Sequence, residues 1–146
     1  MAEGDQGEQR REVNHLLDSS SILNLYFEGR YDHLLDASTT ELAQFELGNA
    51  IWRRASLLKE ISIKEAQILL HAINRLLISM GTPLDYDPAE SMKIATEEHI
   101  TYYDASYISA AKLNGVPLVT DDIQLLKVAK KHLNSLTSYD LLKEIK

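Results

Sequence analysis

Short apolar runs alternate with longer amphipathic segments along most of the chain. The runs at 13–17 and 116–119 lead directly into polar and acidic residues, which is typical of buried strands in a parallel sheet. Weaker patterns predict strands at 34–40 and 136–138. Helical spacing predicts helices at about 19–27, 41–58, 62–80, 88–98, 103–113, 122–131 and 139–146. The alternation therefore predicts an α/β fold, a three-layer sandwich with a central, mostly parallel sheet flanked by helices.

Capping residues define several of these helix starts. Ser62, followed by Glu65 three residues later, has the pattern of a capping box. Thr39 or Thr40 is expected to cap the helix at 41–58. The core candidates of that helix are Leu42, Phe45, Ala50, Ile51 and Trp52.

The length of 146 residues indicates a single domain. Residues 1–12 are polar, charged and glycine-containing, so we expect a disordered tail followed by one domain at 13–146. The absence of cysteine excludes disulfides and cysteine-bound zinc. No apolar run approaches the roughly 20 residues of a membrane span, and the first 15 residues lack the apolar segment of a secretory signal. A cytoplasmic protein without membrane association is the expectation.

The net charge of −7 favours cation binding over a broad basic surface for nucleic acid. Two local clusters are basic despite the negative net charge. One is Arg53 with Arg54, and the other consists of Lys127, Lys130 and Lys131. Solvated helix faces are the ordinary interpretation of such clusters. The net charge alone therefore fits a cation-binding protein better than a polyanion-binding one.

Acidic residues collect where the predicted strands end. Asp18 follows the first strand, and Asp121 and Asp122 follow the strand at 116–119. Because the carboxyl ends of parallel strands meet at one edge of a sheet, these acids are expected at the same edge, where ligands bind in such folds. Asp104 begins the helix that precedes the second of these strands, which places it near that edge as well.

Each acid also has an ordinary structural role open to it. Asp18 is a suitable N-cap for the helix at 19–27, and one member of the Asp121/Asp122 pair is expected to cap the next helix. Glu46 lies on an apolar stripe, where it could pair with Arg53. Asp104 occupies a first helical turn, which the helix dipole favours, but it shares the apolar face of that helix.

Taken together, the acids predict a metal site. Several carboxylates at one sheet edge suit Mg²⁺ or Mn²⁺, and without a cation they would repel one another. A bound ion can polarise a phosphoryl oxygen and activate water. The five histidines are scattered without ligand spacing, and neither a Ser/His/Asp set nor a glycine-rich phosphate loop is present. Metal-assisted hydrolysis is the chemistry that the residue inventory supports.

Three stretches resemble the PIN domain, in particular the toxin nucleases of bacterial and archaeal VapBC-type toxin–antitoxin systems. They are LLDSSSILNLY at 16–26, AQFELGNAIWR at 43–53 and YYDASYISAAKLNGVPLVTDDIQLL at 102–126. The third is the most specific, with an Asp-Ala-x-Tyr-x-x-x-Ala helix, a glycine, and an apolar strand leading into Thr-x-Asp. The resemblance runs in order from about residue 13 to residue 140.

The resemblance implies a PIN-like sandwich and Mg²⁺- or Mn²⁺-dependent endoribonuclease activity. It assigns the catalytic and metal-binding roles to Asp18, Glu46, Asp104 and Asp122, and supporting roles to Ser20, Asn49, Thr120 and Asp121. Asp121 occupies the variable position of Thr-x-Asp, so its carboxylate departs from the usual pattern and is expected to act as a cap or as an acid outside the immediate ligands. The acidic composition also departs from that of an ideal RNA-binding enzyme.

The resemblance also implies an RNA substrate, a small antitoxin protein as inhibitor, and a homodimer. Two alternatives stay open: a PIN-fold binding module without catalysis, and a housekeeping RNA-processing PIN nuclease. A receiver-type phosphoryl-transfer regulator is disfavoured, because its adjacent acids should follow the first strand, whereas Asp121 and Asp122 come late in the chain.

Overall fold

The computed structural model describes residues 12–144. All but the last residue of the expected tail at 1–12, and the final two residues of the expected helix at 139–146, lie outside this range. The described residues form a three-stranded parallel sheet in the order β1-β2-β3. The strands are β1 (Leu16–Leu17), β2 (Leu118–Val119) and β3 (Ser135–Leu136).

Eight α-helices occur within residues 12–144. They are α1 (Ser19–Phe27), α2 (Tyr31–Leu35), α3 (Leu42–Trp52), α4 (Ile63–Ser79), α5 (Pro88–Glu98), α6 (Tyr102–Asn114), α7 (Ile123–Ala129) and α8 (Ser138–Lys143). The Ser62–Glu65 capping box is present, as predicted. No helix of the described range has both the length and the apolar character needed to cross a bilayer.

The sheet separates two hydrophobic cores. Leu17 and Val119 point into a core formed with α1, α3, α4 and α8, whereas Leu16 and Leu118 point into a core formed with α5, α6 and α7. Successive strand residues face opposite sides of a sheet, so two-residue strands are sufficient to contribute to both cores. The predicted three-layer sandwich is confirmed.

The predicted strand at 34–40 is mostly wrong. Leu34 and Leu35 end the short helix α2, and only Ser38 pairs with β1, through an isolated bridge to Leu16. The backbone N–H groups of Asp36 and Ala37 donate within this turn, to the carbonyls of Asp32 and Leu34 at 3.3 and 3.2 Å, and not to a neighbouring strand.

The predictions for the start and the core of α3 are also corrected. Neither threonine caps the helix; the hydroxyl of Thr39 donates a 2.6 Å hydrogen bond to the Leu17 carbonyl instead. Phe45 and Trp52 are 70% and 49% exposed. The buried stripe runs through Ala43, Leu47 and Ile51. This i, i+4 stripe turns the two aromatic rings away from the core. After Trp52 the chain continues as a π-helical turn, Arg53–Leu57, rather than as α-helix to 58.

Candidate active site

Asp18 is a buried carboxylate held by hydroxyl and amide donors at the end of β1. Its Oδ1 accepts hydrogen bonds from Ser20 Oγ at 2.8 Å, and from Ser21 N and Ser21 Oγ at 3.0 Å each. Its Oδ2 accepts one from Thr120 Oγ1 at 2.5 Å. Burial raises the pKa of Asp18, and the hydrogen bonds from Thr120, Ser21 and Ser20 oppose that rise. Asp18 is therefore both the N-cap of α1 and a fixed acid at the sheet edge.

Thr120 joins the ends of the first two strands. Besides donating to Asp18, its hydroxyl accepts the backbone N–H of Asp122 at 3.1 Å. The carboxylate Oδ1 of Asp122 caps α7 by accepting the N–H groups of Gln124 and Leu125, at 3.0 and 3.2 Å. No such bond engages Oδ2 within residues 12–144, so Asp122 combines a capping oxygen with one that has no intramolecular donor.

The Asp121 carboxylate is held by donors from α1 and from the start of α8. Its Oδ2 accepts hydrogen bonds from Asn24 Nδ2 at 2.7 Å and Ser138 Oγ at 2.6 Å, and its Oδ1 accepts one from Ser138 N at 2.8 Å. Its backbone N–H donates to Ser20 Oγ at 2.9 Å. Asp121 thus connects α1 to the start of α8, and Ser20 connects Asp121 to Asp18.

Glu46 is positioned by two neutral hydroxyls from other helices. Its Oε1 accepts hydrogen bonds from Tyr107 Oη at 2.7 Å and Ser19 Oγ at 3.1 Å. Tyr107 is only 1% exposed, and burial together with the Glu46 charge raises the pKa of its hydroxyl. Tyr107 is the tyrosine of the Asp-Ala-x-Tyr motif, but the sequence carries no signal for its contact with Glu46.

Among the four predicted acids, Asp104 has the carboxylate with the fewest hydrogen bonds within residues 12–144. It lies in the first turn of α6, where its backbone N–H donates to Thr101 Oγ1 at 3.1 Å. In the described part of the chain, no hydrogen-bond donor reaches its half-buried carboxylate. Burial, followed by the negative charges of Asp122, Glu46 and Asp18, raises its pKa to about 6. The four predicted acids therefore share one electrostatic environment, in which the negative charges of the other three act on the Asp104 carboxyl group.

This raised pKa predicts how stability changes with pH in the absence of metal. The folded chain holds a proton on Asp104 up to about pH 6, whereas the unfolded chain releases it near the ordinary value of 3.8. Stability contributed by this group therefore falls as the pH rises from about 4 to above 6. We expect Asp104→Asn to be more stable than the parent by about 1–2 kcal/mol at pH 7.5, after allowance for partial solvent exposure.

Urea unfolding of both proteins in EDTA at pH 4.5 and at pH 7.5 measures this difference. The gain should shrink at the lower pH, because the parent then carries a neutral carboxyl group at position 104. A difference that is equal at the two pH values would contradict the shared electrostatic environment.

The donor set fits a hydrated divalent cation. No three acidic or histidine side chains within residues 12–144 are close enough to form a ready-made metal cage. Mg²⁺ commonly keeps several waters and uses only one or two carboxylates, so it does not require such a cage. A cation near Asp104 would also relieve the repulsion that raises the pKa of this group. The full set of four direct ligands stays a prediction.

An open groove of about 470 Å³ adjoins the acids along α3. Its floor carries Glu46, Asn49 and Arg53, which share one helix face, and its wall includes the exposed rings of Phe45 and Tyr103. Asn49, a predicted supporting residue, lines this groove together with Glu46. Sequence reasoning missed the two rings, because an apolar residue at helical spacing also fits a core position.

Comparison with known proteins agrees with this architecture. The family model of the PIN domain matches residues 13–131. The curated protein Exonuclease VapC9 of Pyrobaculum aerophilum is 30% identical over 120 residues, which cover 81% of this chain and 87% of the relative. The crystal structure of PAE2754 from Pyrobaculum aerophilum superimposes with a TM-score of 0.75 and 28% identity, covering 90% of this chain and 93% of that one. The chain therefore belongs to the PIN domain family.

Proposed function

We propose that this chain is a divalent-metal-dependent nuclease that cleaves phosphodiester bonds in RNA, with Mg²⁺ or Mn²⁺ as its cofactor. The observation that carries the proposal is Asp104, a half-buried carboxylate without a donor that faces the charges of three further acids. Such an arrangement is costly for an isolated protein and favourable once a cation is present. The likeness to a protein named Exonuclease VapC9 supports a nuclease.

In this proposal, two of the four acids are held in place by hydroxyl groups, and the other two lie at the starts of helices. Asp18 is fixed by Ser20, Ser21 and Thr120 at the sheet edge. Glu46 is oriented by Tyr107 and Ser19. Asp104 and Asp122 complete the negative field from the starts of two helices. When bound, the ion would supply Lewis-acid activation of the phosphodiester and of a water nucleophile.

We further propose internal cleavage, although the relative carries the name of an exonuclease. The acids lie at a sheet edge, and the groove beside them runs on along α3 as far as Arg53. An RNA strand could therefore lie along the groove and pass the acids without placing either of its ends there. Removal of nucleotides from an RNA end is the competing activity, and the name of the relative favours it.

Metal-dependent cleavage is the direct test of the proposed function. Single-stranded RNA labelled at one end is incubated with the protein in Mg²⁺, in Mn²⁺ and in EDTA. We expect cleavage with either ion and none in EDTA, because the acids alone would repel the phosphate. Calorimetric titration of the ion is the companion measurement. No binding at millimolar concentration and no cleavage would favour the non-catalytic binding module.

A circular RNA of the same sequence separates the two modes of cleavage. An endonuclease linearises the circle, whereas an exonuclease leaves it intact while degrading the linear form. An intact circle beside a degraded linear strand would overturn internal cleavage but keep the nuclease.

The protein partners stay predictions drawn from the resemblance to VapBC toxins. A small antitoxin and a second copy of the chain are both expected. Exposed isoleucines on α4, namely Ile63, Ile68 and Ile78, provide apolar surface that suits a protein contact. Without an antitoxin, the nuclease would belong to the housekeeping class.

A further inference from the structure

Phe45 and Tyr103 form an exposed aromatic ridge beside the acids. Their side chains are 70% and 62% exposed, and both line two adjoining hollows. One hollow is the groove of about 470 Å³ that contains Glu46. The other, of about 420 Å³, also contains Tyr86 and Tyr102. Two exposed rings that line the same hollows beside an acidic site form a candidate surface for binding another molecule.

Arg53 supplies a positive charge at the far end of the groove floor. It is exposed, it lines the groove, and it forms no ion pair with any residue from 12 to 144. Glu46 and Arg53 are seven residues apart on one face of α3 and its continuation, which is about 10 Å along the helix. No ion pair joins Arg53 to Glu46 within residues 12–144, so the guanidinium is available to a phosphate beside the one at the acids.

We propose that the aromatic ridge and Arg53 form a subsite for a single-stranded nucleotide next to the scissile phosphate. The rings of Phe45 and Tyr103 stack on an unpaired base, and Arg53, assisted by the Asn49 amide, binds the adjacent phosphate. This inference rests on the proposed function and names the residues that would hold the nucleotide beside the cleaved bond.

The order of chemical groups along the groove favours a nucleic-acid strand over an apolar protein segment. The groove is lined by two aromatic rings and two aliphatic side chains, Leu42 and Ala50, and by a row along α3 that passes from carboxylate to amide to guanidinium. A strand offers a base to the wall and a phosphate to the cation. An apolar helix seated in the same groove would bury Arg53 and Asn49 without partners, which is costly. Duplex RNA offers phosphates but keeps its bases within the stack.

Fluorescence anisotropy with a labelled single-stranded RNA tests the subsite. The background is Asp104→Asn in Mg²⁺, so that cleavage does not interfere with binding. We expect Phe45→Ala and Tyr103→Ala each to weaken binding roughly tenfold, which is typical for the loss of one stacked base. The same RNA annealed to its complement should bind more weakly and should be insensitive to either substitution.

Arg53→Gln has a separate signature in the salt dependence. Loss of one phosphate contact should reduce the slope of log affinity against log salt by about 0.7. Arg54→Gln is the matched control, since it removes the same charge one residue away. The Arg54 guanidinium lies 4.8 Å from the centre of the Phe27 ring and does not line the groove. Trp52→Ala is the aromatic control, because Trp52 lies on the same helix, is 49% exposed and is not part of the groove.

Reduced affinity in the three groove variants, with both controls unchanged, would support the subsite. Equal affinity in groove and control variants would overturn it. The ridge would then be a protein-docking surface. Cleavage by the unsubstituted chain is measured separately. If the unsubstituted chain cleaves RNA but the groove variants bind RNA as tightly as the controls, only the subsite is contradicted. If the unsubstituted chain does not cleave RNA, the proposed function is contradicted.

Discussion

Asp104→Asn is expected to reduce RNA cleavage by more than about 100-fold while the chain stays folded. Outer partners of metal ligands typically cost 10–100-fold when removed, and a carboxylate that faces the ion directly should cost at least as much. The fold should not suffer, because no hydrogen-bond donor in the described residues depends on this side chain. The measurement is the initial cleavage rate in Mg²⁺ and in Mn²⁺.

Two controls make the result specific to the acidic site. Asp32→Asn makes the same change in net charge at an exposed position on α2, and its rate should equal that of the parent. Calorimetry should show weaker ion binding by Asp104→Asn only. A rate within a few-fold of the parent would remove Asp104 from the proposed catalytic set.

Asp18→Ala is expected to destabilise the chain by about 3–5 kcal/mol, the opposite effect on stability from Asp104→Asn. The hydroxyls of Ser20 and Thr120 and the Ser21 backbone amide would lose their acceptor on the Asp18 carboxylate, whereas the Ser21 hydroxyl would keep the Val119 carbonyl at 2.9 Å. The substitution also removes the N-cap of α1, which typically contributes about 1 kcal/mol. Urea unfolding in EDTA measures the loss.

Asp18→Asn is the matched control for this prediction. Its amide oxygen can still accept the bonds at Oδ1, so it should keep the cap and lose much less stability. Cleavage should fall in both variants, because both remove the negative charge. A loss of less than about 1 kcal/mol in Asp18→Ala would show that the buried donors find other partners.

The acids could be located from sequence because their positions follow from local rules. Asp18 and Asp122 end strands and cap helices, and Asp104 lies in a first turn that starts at a threonine cap. Parallel strands then bring those ends to one edge. The location of these acids can thus be predicted from the order of the strands and helices and from the direction in which each one runs.

The partners of the acids depend on contacts that local sequence does not determine. Tyr107 meets Glu46 across 61 positions of sequence, and Thr120 meets Asp18 across 102. Phe45 illustrates the same limit, since its spacing in α3 fits a core residue. Only the packing of α3 against the rest of the chain selects the stripe through Leu47 and leaves Phe45 outside.

The sheet ladder continues beyond its two-residue strands into the site itself. The Asp18 N–H donates to the Val119 carbonyl at 3.1 Å, and the Thr120 N–H donates to the Leu136 carbonyl at 3.0 Å. These amides should exchange with solvent only in large unfolding events, whereas the first turn of α6, which carries Asp104, can open by local fraying. The part of the site formed by Asp18 and Thr120 should thus resist local opening as strongly as the centre of the sheet. A cation would slow hydrogen exchange at the start of α6 and leave the exchange of Asp18 almost unchanged.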